Sequence, residues 1–203
     1  MKIIIATHNK DKLKELHHSL KDLDLELLSL EEYKNVGEII ENGKTLEENA
    51  LIKARAVYKI TGLPAIADDT GLEVDALKGA PGVYTARFAG EGCSYDDNVN
   101  KMLKVMKDVP LEERNAKFRT VIAFVYKKME LLAEGSVEGI IAVNKKGLAG
   151  FGYDPIFYVH AEGKTFAEMS IEKKNIISHR GRAILSLKGK LRSYLKHIIQ
   201  ENA

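Results

Sequence analysis

The chain has a single cysteine, Cys93, in 203 residues, so no disulfide can form within it. A lone thiol fits a reducing compartment, and no Cys/His spacing of the metal-binding kind accompanies it. It reads as a loop thiol without a task. Long hydrophobic runs are missing as well. The apolar start, Ile3 to Ala6, is shorter than the core of a secretory signal, and no run approaches a membrane span. The expectation is a cytoplasmic protein without a membrane partner. Excess charge of either sign is absent: 31 Lys and Arg against 29 Asp and Glu leave a formal net charge of +2. Bulk charge therefore asks for no nucleic-acid partner. No internal repeat, low-complexity tract or linker interrupts the chain. With 45% hydrophobic and 30% charged residues, residues 1–203 suit one domain or two closely packed lobes, with a sizeable core.

What is present is organised around Ile66-Ala67-Asp68-Asp69-Thr70-Gly71-Leu72-Glu73-Val74-Asp75-Ala76-Leu77. A β-type apolar run, Pro64 to Ala67, meets two adjacent carboxylates and a Thr-Gly pair that predicts a turn. Alternation then resumes, with Leu72, Val74 and Ala76 to one side and Glu73 and Asp75 to the other. Acidic residues at the end of a buried strand sit where α/β proteins place their chemistry. Two carboxylates there suit a hard divalent cation with a phosphate partner. A polar turn without a task accounts for the same residues, since Asp favours turns and Gly permits positive φ.

Residues 2–6 predict a buried strand, and Thr7-His8-Asn9-Lys10-Asp11-Lys12 leads from it into Leu13, Leu16 and Leu20 at helical spacing. Asn9 is the expected N-cap. First-turn N–H groups bind anions, with Lys12 adding positive charge; a capped helix with solvated lysines is the plain alternative. A second strand is expected over 25–30, then polar, irregular chain to Lys44. Gly43-Lys44-Thr45 imitates the end of a P-loop, but Glu38 stands where the first Gly belongs, Gly37 is one residue out of register, and no strand leads in. Thr45 and Glu48 instead predict a capping box opening a helix over 46–60. Its inward stripe is Ala50, Ala54, Val57 and Ile60, with Lys53 and Arg55 on a solvated face. Glu41 lies in the loop just before, able to fold over a site.

Gly79 to Gly90 is a constrained Gly/Pro-rich loop that lets backbone approach a ligand or another chain. Arg87 within it serves equally to touch phosphate or to pair with a carboxylate. Ser94 and Asp97 predict a second capped helix, with Val99, Met102, Leu103 and Met106 inward. Residues 116–126 and 131–143 predict a β-hairpin, with Gly135 or Gly139 as a bulge. Phe151-Gly152-Tyr153-Asp154-Pro155-Ile156-Phe157 sets three aromatics around an Asp-Pro turn. Such a surface stacks a purine ring, or simply packs a core. Ser178-His179-Arg180-Gly181-Arg182 opens the last helix, with Ser178 as cap and Ala183, Leu187, Leu191, Tyr194, Leu195 and Ile198 as stripe. Positive groups at a helix N-terminus oppose its dipole unless an anion compensates them, which points to phosphate.

Taken together, Thr7-His8-Asn9-Lys10-Asp11-Lys12, Asp68-Asp69-Thr70-Gly71-Leu72, Gly79-Ala80-Pro81-Gly82, Phe151-Gly152-Tyr153-Asp154-Pro155 and Ser178-His179-Arg180-Gly181 resemble another set of proteins in order and spacing. They are the inosine triphosphate pyrophosphatase family, the noncanonical purine nucleoside-triphosphate pyrophosphatases, in its bacterial form. Each block alone is weak; all in register are highly specific. The resemblance implies an α/β fold, a long mixed twisted sheet flanked by helices, with two lobes, a central cleft and a homodimer. It implies Mg2+-dependent hydrolysis of ITP, dITP or XTP between the α and β phosphates, cleansing the nucleotide pool. Residue by residue, it assigns Thr7, His8, Asn9, Lys10, Asp11 and Lys12 to the triphosphate-binding turn. Asp69 becomes proton acceptor and magnesium ligand, Glu41 the second acidic ligand, and Thr70 a substrate contact. Phe151, Gly152, Tyr153, Asp154, Lys174, His179 and Arg180 frame the nucleotide. A donor such as His179 or Arg180 aimed at a 6-keto oxygen would reject adenine.

Two rival functions use similar residues. A pyrophosphatase for modified pyrimidine or methylated nucleotides is opposed by the base-framing blocks around Phe151 and His179. A nucleotide sensor or RNA-binding module without turnover is opposed by Asp69 and Glu41, which repel phosphate unless a metal lies between.

Overall fold

The computed structural model describes secondary structure for residues 1–201 and side chains through Tyr194. Among the described residues eight strands form one sheet: β1 (Lys2–Ile5), β2 (Glu26–Ser29), β3 (Ala65–Val74), β4 (Pro81–Gly82), β5 (Asn115–Tyr126), β6 (Met129–Ile141), β7 (Phe157–Val159) and β8 (Lys164–Thr165). Their order is β2-β1-β3-β5-β6-β7-β8, with β4 paired on β3. β1 runs parallel to β2 and β3, while the β3–β4, β6–β7 and β7–β8 pairs are antiparallel. The helices are α1 (Lys10–Leu20), α2 (Leu46–Thr61), α3 (Tyr95–Val105), α4 (Ile171–Ile177) and α5 (His179–Glu201). The expected mixed, twisted sheet with flanking helices is what the chain forms. No helix among the described residues is long and apolar enough to cross a membrane.

The chain divides into two compact units, the first made of residues 1–69, 120–135 and 180 onward, the second of 70–119 and 136–179. In the first, Ile3, Ile5 and Ile66 on one face pack with Leu16 and Leu20 of α1 and Ala183, Leu187 and Leu191 of α5. Ile4, on the opposite face by the strand period, is also fully buried. A central parallel strand covered on both faces reads as an unbroken apolar run for this reason. In the second unit Phe118, Phe157 and Phe166 form the centre, with ring centroids 4.7 Å apart for Phe118–Phe157 and 5.1 Å for Phe157–Phe166. Val99, Met102 and Met106 pack against them as their spacing predicts.

The structure departs from the sequence reading in several places. No turn forms at Thr70-Gly71: β3 runs through both residues as extended chain, because neighbouring strands satisfy its backbone and override turn preference. The alternation stops at Val74, where Asp75–Leu77 coils into a 3-10 turn and leaves Ala76 exposed. The buried face of α2 is covered only as far as Val57, leaving Ile60 45% exposed. Thr45 caps α2 by accepting from Glu48 N at 3.1 Å, but the Glu48 carboxylate reaches past it to Lys44 N, so only half of the capping box forms. Gly139 sits where β7 crowds it, since a Cβ there would meet the Tyr158 carbonyl and the Phe157 ring. The short helix α4 had no sequence prediction. Leu195 and Ile198 lie outside the residues whose side chains are described.

Candidate active site

Consecutive strand residues face opposite sides, so β3 presents its two carboxylates to different neighbours. Asp68 faces α1 and α5. Its Oδ2 accepts from Arg180 Nε and Nη2, each at 3.2 Å, and pairs with Lys12 Nζ at 3.2 Å. Arg180 Nη1 donates to Glu15 Oε2 as well. Burial alone would push the Asp68 carboxyl up, but Lys12, Arg180 and Lys53 outweigh it and hold it well below the usual carboxylate range. Burial also works against Arg180, where Asp68 and Glu15 prevail and raise its pKa. Lys12 fares differently. Burial, and after it the nearby Lys53 and Arg180, outweigh Asp68 and lower its pKa, because it shares that carboxylate with a guanidinium.

Asp69 faces α2. Its Oδ1 accepts from Lys53 Nζ at 3.2 Å and its Oδ2 from Asn49 Nδ2 at 3.2 Å. Lys53 Nζ also donates to Glu41 Oε2 at 2.7 Å, so one ammonium bridges both carboxylates. Asn49 Oδ1 accepts from Gly43 N at 2.8 Å, tying the loop that carries Glu41 to the helix. Gly43 has no room for a side chain there, as a Cβ would lie 2.6 Å from Asn49 Oδ1. Burial pushes the Asp69 carboxyl up, Lys53 and Lys12 pull it part of the way back, and Glu41 adds to the rise; it ends above its ordinary value. For Lys53 burial opposes the charge, but Asp69, Glu41 and Asp68 overcome it and raise the pKa.

In the second unit Lys174 of α4 is buried beside Asp154, with Nζ 2.6 Å from Oδ2. The same Oδ2 accepts from Phe151 N at 2.8 Å, and the Lys174 ammonium lies 4.7 Å from the Phe151 ring centroid and 5.7 Å from that of Phe166. Gly150, at φ +76°, leaves no space for a Cβ against the Asp154 carboxylate. The His179 ring stacks on Phe118, centroids 4.5 Å apart and planes 15° from parallel. Tyr153 donates to the Thr85 carbonyl at 3.1 Å; burial, helped by Cys93, pushes its phenol pKa well up.

Paired carboxylates on a strand and a lysine set among aromatic rings occur in unrelated proteins, and similarity to known chains decides the family. The model of the Ham1 family matches residues 3–190. The chain belongs to the Ham1 family. A dITP/XTP pyrophosphatase of Thermoanaerobacter sp. (strain X514) is 51% identical over 189 residues, covering 93% of this chain and 95% of the relative. One from Escherichia coli O157:H7 is 45% identical over 195 residues, covering 95% and 98%. The solved structure of a HAM1 protein from Coxiella burnetii superposes with a TM-score of 0.88 at 41% identity, over 95% of this chain and 99% of that one. The resemblance read from the five motifs is borne out.

The sequence-predicted site residues of this Ham1 protein fall into both units. Lys12, Glu41, Asp69 and Arg180 gather around the β3 carboxylates, and Phe151, Tyr153, Asp154, Lys174 and His179 gather around the aromatic centre. Gly152 turns the chain beside them at φ +60°. Thr70, the first residue of the second unit, is half-buried. Thr7 Oγ1 accepts from Asn9 N at 3.2 Å, while His8 and Lys10 are exposed and Asp11 half-buried. The predicted cap is present: Asn9 Oδ1 accepts from Asp11 N at 3.0 Å and Lys12 N at 3.1 Å. Two first-turn N–H groups are thereby taken by the protein itself. At α5 the anions facing Arg180 are Asp68 and Glu15, where the sequence pointed to phosphate. Arg87 pairs with Glu91 at 3.4 Å and lies over Tyr84.

Sequence reasoning missed Lys53, which it placed on a solvated face and which is only 9% exposed. A signal existed. Leu46, Ala50, Lys53 and Val57 share one helical stripe, and a lysine on an apolar stripe requires a buried anion. Asn49 and Glu15 were missed likewise, each lying beside the stripe of its helix.

Proposed function

We propose that this protein is a nucleoside-triphosphate pyrophosphohydrolase that uses Mg2+ to convert ITP, dITP and XTP to the monophosphate and pyrophosphate, cleansing the nucleotide pool. The observation that carries the reading is the Asp68–Asp69 pair. One carboxylate is held as an anion by buried cations, and its neighbour, raised above its ordinary value, shares the Lys53 ammonium with Glu41. Titratable neighbours pushed apart by their surroundings take different chemical tasks. Relatives at 45–51% identity that bear the name dITP/XTP pyrophosphatase support the substrate class.

A triphosphate brings about four negative charges, so catalysis is mostly positioning and neutralisation. Lys12, the cation least supported by its own carboxylate, and Lys53 meet that charge. Asp69 accepts a proton from the attacking water, whose oxygen bonds to the α-phosphorus. The bond from that phosphorus to the bridging oxygen breaks, and pyrophosphate leaves with the electron pair. Asp68 moves no proton; it holds Arg180 and Lys12 in place. Glu41 and Asp69 would hold the magnesium ion, an all-oxygen donor pair of the kind Mg2+ takes together with phosphate oxygens. When bound, the ion neutralises developing phosphate charge. Phe151 offers a ring to the purine, and Lys174 or His179 offers a donor to its 6-keto oxygen. Arg180, committed to Asp68 and Glu15, steadies the acid pair instead. The same proposal takes the protein as a cytoplasmic homodimer with no nucleic-acid partner, joined through the Gly79–Gly90 loop and its exposed Tyr84; light scattering of the purified protein checks the dimer.

The deciding experiment is pyrophosphate release from ITP, XTP, GTP and ATP, with and without Mg2+. Fast metal-dependent release from ITP and XTP, slow from ATP and GTP, is expected. Binding without release would leave a nucleotide sensor, and orthophosphate as product would mean that a different bond is cleaved.

A further inference from the structure

We propose that Lys53 is a built-in counter-cation that keeps the Glu41–Asp69 pair closed to a divalent ion until nucleotide arrives, so that metal and nucleotide enter together. This rests on the reading of Glu41 and Asp69 as the metal-holding pair. The geometry is direct: Lys53 Nζ contacts Glu41 Oε2 at 2.7 Å and Asp69 Oδ1 at 3.2 Å. A divalent ion drawn to those carboxylates meets an ammonium already on both, and the two cations repel at such range.

The surroundings favour displacement of the side chain alone. Lys53 is anchored in the middle of α2, and the loop bearing Glu41 is pinned to that helix by Gly43 N on Asn49 Oδ1 and by Lys44 N on Glu48 Oε2. The carboxylates therefore stay where they are while the flexible four-carbon stem of lysine swings. A buried ammonium leaves its carboxylates at high cost unless another anion receives it. Metal alone brings no anion. A triphosphate does, so it relieves the ammonium as it delivers the ion. By linkage, nucleotide must tighten metal binding by the same factor as metal tightens nucleotide binding.

Mn2+ binding, followed by electron paramagnetic resonance, tests the idea without turnover. In nucleotide-free protein, Lys53→Met is expected to bind Mn2+ at least about tenfold more tightly than wild type, about 1.4 kcal/mol. Lys53→Arg should bind no more tightly than wild type, and adding Asp69→Asn to Lys53→Met should abolish the gain. Wild-type protein that already binds Mn2+ as tightly as Lys53→Met overturns the proposal, as does a gain that survives Asp69→Asn. Should Lys53→Met fail to fold by circular dichroism, wild type still decides. A methylene-bridged, uncleavable ITP analogue must tighten its Mn2+ binding, after correction for Mn2+ held by the analogue itself, and an unchanged affinity overturns the proposal. Pyrophosphate release that needs no metal would instead overturn the underlying metal reading, whereas metal-dependent release with equal Mn2+ affinities overturns only the role of Lys53.

Discussion

Asp68 and Asp69 are the same residue type, adjacent on one strand, yet the fold drives them in opposite directions. Asp68 meets a guanidinium and an ammonium on the side of α1 and α5. Asp69 meets one ammonium, shared with Glu41, and one amide on the side of α2. Burial raises both carboxyls; Arg180 and Lys12 acting together on Asp68, against Lys53 on Asp69, decide which of them escapes the rise. A buried acid in contact with both a guanidinium and an ammonium is held as an anion. One that shares its ammonium with a second carboxylate stays above its ordinary pKa.

The largest effect that would break this comparison is loss of the reactive member. Asp69→Asn should lower pyrophosphate release by about 100- to 10,000-fold while leaving the circular dichroism spectrum unchanged. Turnover near wild type would remove Asp69 from its role. Loss of the anchor should act on stability. Asp68→Asn leaves Arg180 and Lys12 short of charge and should cost about 3–5 kcal/mol in denaturant unfolding. Combining it with Arg180→Met should cost less than the sum of the single changes, because the partners share one interaction. Equal costs for Asp68→Asn and Asp69→Asn would erase the distinction between anchor and base.

Acidity sharpens the same contrast more gently. Asp68 has a depressed folded pKa, so its contribution to stability is complete above the ordinary carboxylate value of about 3.9 and is lost as pH falls through the depressed one. Asp69 is raised, so in protein free of metal and nucleotide its carboxyl, followed by NMR, should titrate above the ordinary carboxylate value of about 3.9. Lys53→Met should move that titration to higher pH, since Lys53 lowers the Asp69 pKa; a shift to lower pH would contradict the pairing. The smallest effect belongs to the exposed pair Arg55–Glu130, at 2.6 Å between Nη2 and Oε2. Arg55→Ala should change stability by less than about 1 kcal/mol, a baseline in the same unfolding assay for what an ion pair contributes without burial.

Much of this was legible in the chain. The spacing of Leu13, Leu16 and Leu20, the Asn9 cap and the Ser94–Asp97 box give α1 and α3 their place without any tertiary information. Local hydrogen bonds and helical period suffice for that. The motif blocks around Asp68, Phe151 and His179 carried the family. Pairing could not be read in the same way. Thr70-Gly71 has turn chemistry but lies within a hydrogen-bonded strand, and Lys53 looked like a surface lysine until its anions, 12 and 16 residues away, were in place.

By itself, then, the sequence determined the longer helices and strands, the Asn9 and Ser94 caps and the motif residues that carry the family, because those follow from patterns among near neighbours in the chain. Only the tertiary structure decided what each charge faces. It placed Glu15 and Arg180, 165 residues apart, in one buried pair, turned the positive start of α5 toward protein carboxylates, and shifted the pKa values of two adjacent aspartates in opposite directions. Electrostatic energies in a desolvated interior depend on ångström distances between segments remote in sequence, and no local pattern encodes them.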